Sequence, residues 1–169
     1  MLKIINELKP FFEDCYRRIN VREYARIMKS SPPTASKILT RYLEEGLLRK
    51  EEDRNYFFFY ANKDSKTFID LSRIYWHYRL QEVILYLGDV FTSPALILFG
   101  SISKGETKID SDIDIAVFAN KKECILTNFE KKLKRNIQLF CFPSPKDIKN
   151  KELASNILNG YILRGKVSI

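Results

Sequence analysis

Cysteine is scarce in this 169-residue sequence: Cys15, Cys124 and Cys141 are odd in number and show no close paired spacing. That excludes a disulfide framework and a cysteine zinc site, and points to a reducing, cytoplasmic setting. The six glycines and six prolines form no tract, and no serine-rich run accompanies them, so a disordered linker protein is excluded. Long apolar runs are missing too. The most apolar stretch, Leu80 to Gly100, is interrupted by Glu82, Gly88, Asp89 and Pro94, which rules out a membrane span and a membrane partner. The N-terminal MLKIINELKPFFED carries charge throughout and no small-residue cleavage site, so no secretory signal is expected. No internal repeat is present.

What the chain does have is ordinary apolar content, 45%, with 30% charged residues, enough to fold. Its length allows one large domain or two small ones. The formal charge of +8 and a pI near 9.3 favour an anionic partner, provided the cations are localised.

In the first sixty residues they are. VREYARIM, residues 21 to 28, is a short amphipathic segment, and KSS leads into PPTASKILTRYLEEGLL, where Ser31 can cap a helix and Pro32 sits where a missing amide costs nothing. Ala35, Ile38, Leu39, Tyr42 and Leu43 recur at helical spacing and turn Thr34, Ser36, Lys37, Thr40 and Arg41 to the other face. Gly46 ends the helix. Leu47 to Glu51 and Tyr56 to Ala61 read as strands joined by the turn EDRN, with Arg49, Lys50 and Arg54 placed to touch phosphate. Arg17, Arg18, Arg22, Arg26 and Lys29 extend the basic set. Through TASKILTRYLEEGLLRK and the strand YFFFYAN the segment resembles a winged helix-turn-helix domain of bacterial and archaeal regulators. The resemblance implies that Thr34, Ser36, Lys37, Thr40, Arg41 and Arg54 meet DNA, the second helix entering the major groove.

Asp64-Ser65 can cap a helix through KTFIDLSRIYWHYRLQEVILYL. Phe68, Leu71, Tyr75 and Tyr78 form one stripe; Leu80, Val83, Ile84 and Leu87 form another in shifted phase, so a kink near Arg79 or two packing partners are expected. The helix either joins two copies as a homodimer or packs within its own chain. Trp76 and the lone His77 read as core or interface residues.

ALILF, residues 95 to 99, reads as a buried strand between Pro94 and Gly100. Gly100-Ser101 lets the backbone turn, so that amides and the Ser101 hydroxyl can cradle phosphate, with Lys104 one turn further on. The next strand is expected over Ile109 to Phe118, where alternation puts Asp112 and Asp114 on one face. Two such carboxylates repel unless a cation lies between them, and magnesium is the natural one.

Gly100, Ser101, Gly105, Glu106, Asp110, Ser111, Asp112 and Asp114 together resemble the minimal nucleotidyltransferases, small relatives of DNA polymerase beta. The resemblance implies a mixed sheet flanked by helices, Gly100 and Ser101 on the triphosphate of a nucleoside triphosphate, and Asp112 and Asp114 on two Mg2+ ions. It also calls for a third carboxylate on the following strand, within Asn136 to Phe140, where this chain has Gln138. An amide cannot serve as a base; Glu123, Glu130 or Asp147 could replace it only if the fold brings one near. Beyond it, Lys121 to Arg135 reads as a basic helix, Pro145 opens a last helical stretch ending at Asn159-Gly160, and YILRGKVSI is a closing strand.

The expected architecture is α+β: a winged helix over 1–64, a helical linker over 65–91 that is a candidate dimerisation element, and a nucleotidyltransferase domain over 92–169. The expected activity is transfer of a nucleotide to an unknown acceptor with Mg2+. The alternative is a DNA-binding transcription regulator that binds nucleotide without efficient turnover. A third reading makes a partner protein the acceptor, as in the antitoxin half of a toxin pair.

Overall fold

The computed structural model describes residues 2–167. The chain divides into two compact units: the part up to Tyr75 together with Gly105–Ile109, and Trp76–Lys104 together with the part from Asp110 onward.

The first unit runs α1 (Lys3–Glu13), β1 (Ile19–Asn20), α2 (Val21–Met28), α3 (Pro32–Glu44), β2 (Leu48–Asp53) and β3 (Tyr56–Ala61), and then enters α4 (Lys66–Arg79). Helix α1 lacks any side-chain cap and contains Pro10, but it buries Ile5, Leu8, Phe11 and Phe12, and burial of each such side chain is worth about 1.5–3 kcal/mol. Lys29, at φ 51°, closes α2, and Ser31 Oγ accepts the Thr34 amide at 3.4 Å to open α3, so only three residues separate the two helices. Along α3 Ala35, Leu39 and Tyr42 are buried, while Thr34, Lys37, Thr40 and Arg41 are exposed. Gly46, at φ 70°, is where the chain leaves the helix for β2. The expected four-residue turn is shorter: β2 and β3 pair as far as Asp53 opposite Tyr56, leaving Arg54 and Asn55 at φ 48° and 65° in a two-residue turn. That geometry matches the twist of the hairpin, so pairing continues to its end. β1 adds to β3, giving the sheet order β1-β3-β2.

Helix α4 opens on Ser65, whose hydroxyl accepts the Phe68 amide at 3.3 Å. The expected continuous helix is interrupted: Leu80, at ψ 3°, separates α4 from α5 (Gln81–Val90). The second unit continues through β4 (Ala95–Phe99), the single turn α6 (Gly100–Ser103), β5 (Ile113–Phe118), α7 (Thr127–Leu133), β6 (Ile137–Phe142), α8 (Lys151–Leu158) and β7 (Tyr161–Arg164). Its sheet has the order β6-β5-β4-β7, with β5 parallel to β6 and β4 antiparallel to both β5 and β7, a mixed sheet as expected. One face carries Ile97, Phe99 and Ala116 in a core with Ile148 and Ile157, Ile157 coming from α8. Trp76 is fully buried.

Three further expectations are corrected. Strand β5 begins at Ile113 rather than Ile109, because β4 ends at Phe99 opposite Asp114 and offers no ladder partner earlier. The basic helix is confined to Thr127–Leu133, because the preceding loop is tied to α5: the Ile125 amide donates to the Tyr86 hydroxyl at 3.0 Å and Lys122 Nζ to the Val90 carbonyl at 2.8 Å. Pro145 opens only a 3-10 turn (Pro145–Asp147), and α8 starts afresh on Asn150, whose side chain accepts the Leu153 amide. The expected last strand is seen only in its first part, as β7, which ends at Arg164 before Gly165 at φ 77°; its final two residues, 168 and 169, lie outside the described ones.

Candidate functional site

Strand β5 sits between β4 and β6 with Asp114 opposite Phe99 on one side and Gln138 on the other. At the end of β4 the chain turns through Gly100 at φ 72°, a conformation that disfavours any side chain. Space favours glycine as well, since a Cβ there would stand 2.2 Å from Asp114 Oδ2 and the carboxylate would have to shift. Glycine therefore lets the turn close directly onto the carboxylate. The Ser103 hydroxyl donates to the Gly100 carbonyl at 3.0 Å and secures the turn, while Ser101 remains half-buried beside it.

Asp112 precedes β5 and is held by amides. Asn136 Nδ2 donates to its Oδ1 at 3.1 Å and Gln138 Nε2 to its Oδ2 at 2.6 Å. The position that the resemblance reserves for a third carboxylate thus carries a donor aimed at Asp112. Behind this loop Arg135, only 7% exposed, donates to the Ser111 carbonyl at 2.7 Å and lies over the Trp76 ring at 5.1 Å. Asp114 has its pKa raised, first by burial and second by the negative charge of Asp112. The two carboxylates therefore feel one another's charge.

Among the described residues no group of three His, Cys, Asp or Glu side chains forms a metal cluster. The donor set still fits magnesium, which takes hard oxygen ligands and is commonly held by one or two carboxylates with substrate phosphates completing its shell. Asp112 and Asp114 would hold it. Beside Asp112 lies a cavity of 440 Å³ lined by Asp110, Glu130, Lys131, Lys134, Arg135 and Asn136. Of the three substitute carboxylates, Glu130 is brought to this cavity, though its Oε1 accepts the Ile137 amide at 3.0 Å. Asp147 is committed to Ser144, and Glu123 lies in the loop before α7. Lys104 is exposed, and its ammonium donates to Asn156 Oδ1 at 3.0 Å.

The basic surface of the first unit is more selective than its composition. Arg17 pairs with Glu23 at 2.6 Å, Arg18 with Glu51, and Arg49 with Asp64 at 2.5 Å. Arg41, expected on the open face of α3, turns to Glu7 Oε2 at 2.7 Å and to the Tyr42 hydroxyl at 2.8 Å. Tyr42 also donates to Glu7, and Tyr24 donates to the Glu7 carbonyl at 2.8 Å. Glu7 is 5% exposed, so the guanidinium neutralises a buried charge. Burial and Glu7 together push the Tyr42 phenol well above its ordinary pKa. Among the described residues Arg22, Arg26, Lys29, Lys37 and Arg54 have no ion-pair or hydrogen-bond partner for their charged groups, and all are exposed. Arg22 and Arg26 share one face of α2 at helical spacing, and Lys29 follows at its end.

Asn136 and Arg135 did not emerge from the sequence as site residues. The signal that would have found Asn136 is the parallel register: the two-residue spacing of Asp112 and Asp114 repeats, 24 residues on, in Asn136 and Gln138.

The nucleotidyltransferase family described as "Polymerase beta, Nucleotidyltransferase" matches residues 82–168. No curated protein matches the chain. Among solved structures, Lactococcus lactis ZitR is similar at 15% identity and a TM-score of 0.37, over 52% of this chain. The chain spans 61% of the length of that structure.

Proposed function

Because the chain belongs to the polymerase beta nucleotidyltransferase family, we propose that its second unit transfers a nucleotide from a nucleoside triphosphate to an acceptor, and that its first unit is a winged helix that binds DNA. The observation that carries the first half is Asp114 packed on Gly100 with its proton affinity raised by burial and by Asp112. Magnesium bound to the two carboxylates would neutralise phosphate charge and acidify an acceptor hydroxyl.

The chain's own groups do the rest. Gly100 leaves room for Asp114, and the Ser101 hydroxyl with the neighbouring amides offers donors to phosphate oxygens. Lys104 supplies a cation on release from Asn156. The amides of Asn136 and Gln138 fix both oxygens of Asp112, and Arg135 fixes the loop that carries it. Gln138 accepts no proton from an acceptor. Asp110, which lines the neighbouring cavity and has no hydrogen bond among the described residues, is the base in this reading.

The second half rests on the order helix, three-residue turn, helix, hairpin, and on the unpaired cations Arg22, Arg26, Lys29, Lys37 and Arg54. Thr34, Ser36, Lys37 and Thr40 would face the bases, and Arg54 a phosphate at the hairpin tip. Arg41 acts inside the unit instead. A regulator that holds nucleotide without turning it over is the second reading, favoured by the hydrogen bond from Gln138 to Asp112.

Purified chain with magnesium and radiolabelled nucleoside triphosphates distinguishes them. Covalent label on protein or nucleic acid, reduced about 100-fold or more by Asp112→Asn with Asp114→Asn, is the expected result. Nucleotide binding with no label on any acceptor would move the assignment to the regulator.

A further inference from the structure

We infer that the hairpin tip of the first unit holds an unstacked base of single-stranded DNA, in a trough with arginines on one wall and aromatic rings on the other. This deepens the reading that the unit binds DNA, and rests on it.

Two adjoining cavities carry the inference. One, of 540 Å³, is lined by Asn20, Arg22, Glu23, Arg26, Tyr56 and Phe57 among others; the next, of 450 Å³, is lined by Arg22, Arg26, Lys29, Ser30 and Pro32 among others. Arg22 and Arg26 line both, so the two cavities adjoin along α2, one reaching the hairpin tip and the other the start of α3. Among the described residues that line them, the one acid, Glu23, is paired with Arg17. Asn55, in the two-residue turn, adds an uncommitted side-chain amide at the rim.

The aromatic wall is what a duplex-phosphate surface would not need. Tyr56 is 59% exposed and Phe57 48% exposed, although both lie in a strand that buries Phe59 and Ala61 further on. Lys50 covers one face of Phe57 at 4.4 Å, whereas the Tyr56 ring meets neither ring nor cation among the described residues. A free aromatic face next to two unpaired guanidinium groups matches the joint chemistry of a nucleotide, π-face and phosphate together. Bases within a duplex hide their faces, so the complement is a strand with bases exposed.

The test uses the full chain and 2-aminopurine oligonucleotides: a DNA single strand, the same sequence as a duplex, and the same sequence as RNA. Expected are quenching of 2-aminopurine in the DNA single strand on binding, and a loss of single-strand affinity of about 5- to 100-fold in Tyr56→Ala. Tyr56→Phe, which keeps the ring, should retain affinity, and duplex binding should be the same in all three proteins. Unchanged single-strand affinity in Tyr56→Ala, absent quenching, or tighter binding of RNA than DNA each overturns the inference. Absence of binding to the duplex as well as the single strand would overturn the underlying DNA-binding reading instead.

Discussion

The two units gather charge of opposite sign and treat it oppositely. In the first, arginines that look equivalent in the sequence are sorted by the fold: Arg17, Arg18, Arg41 and Arg49 meet acids of their own unit, while Arg22, Arg26 and Arg54 do not. In the second, two acids are set against each other; the amides of Asn136 and Gln138 bond Asp112, and among the described residues no cationic side chain is bonded to either carboxylate. A charge satisfied internally is structural; one left without its counter-charge is available to a ligand. The useful quantity is therefore the residual charge after internal pairing, and it marks a basic trough in one unit and an acidic pair in the other.

The comparison breaks most sharply at Gly100. Gly100→Ala forces a side chain into the space of Asp114 Oδ2 and into a left-handed backbone, so Asp114 must move. Nucleotidyl transfer should fall about 100-fold or more, a loss of several kcal/mol of transition-state stabilisation, while DNA binding is retained. Parallel loss of DNA binding would mean that the substitution unfolds the chain instead of displacing one carboxylate.

Next in size is Gln138→Glu. A carboxylate in register with Asp114 adds a hard oxygen ligand and removes the donor that occupies Asp112. Magnesium affinity, read by calorimetry, should tighten about 10-fold, in line with what supporting contacts contribute at metal sites. In the metal-free protein the added like charge should lower stability, so the substitution sharpens the acidic cluster in both directions. A variant with weaker magnesium binding would show that the Gln138 amide is itself part of the site.

Much of this was readable before the structure, for physical reasons. The amphipathic period of α3, its Ser31 cap and Gly46 stop, and the buried run ALILF are local signals, and each element lies where its residues put it. The spacing of Asp112 and Asp114 is local too, and the charge of Asp112 does act on Asp114, although Asp112 lies just before β5 and not within it. What was not readable depends on long-range partners. Helix α1 is held by burial of Phe11 and Phe12 despite Pro10. Strand β5 is trimmed by where β4 ends, and α7 by the Tyr86 hydroxyl. Arg41 lies on the helix face that periodicity assigns, yet its guanidinium serves Glu7, a residue 34 positions earlier.

That last point gives a paired prediction. Arg22→Ala with Arg26→Ala should weaken duplex binding about 10-fold and reduce the salt slope by about two, with unchanged stability. Arg41→Ala should leave the salt slope alone but cost about 1.5–3 kcal/mol in denaturant unfolding, because Glu7 loses a charged hydrogen bond while staying buried. An Arg41→Ala protein of full stability with a shallower salt slope would return Arg41 to the DNA-binding set.

The smallest effect is on pH dependence and concerns Asp114. Its raised pKa means that the folded chain holds this proton more tightly than the unfolded chain does. Stability from this group is accordingly full below the ordinary aspartate pKa of about 3.9 and is lost as pH rises through the higher folded value. Without metal, Asp114→Asn should therefore melt at a higher temperature than the parent at neutral pH, and the gap should close as the solution is acidified. Asp112→Asn should remove only part of the dependence, since burial is the larger cause and the Asp112 charge the smaller. Magnesium should reverse the order at neutral pH by stabilising the parent and not the Asp114→Asn protein, with that advantage fading in acid as the proton competes for the same oxygens. Identical melting curves for parent and Asp114→Asn across the range would mean that the carboxylate is solvated in solution, and with it the premise that the acids lack a counter-charge would fall.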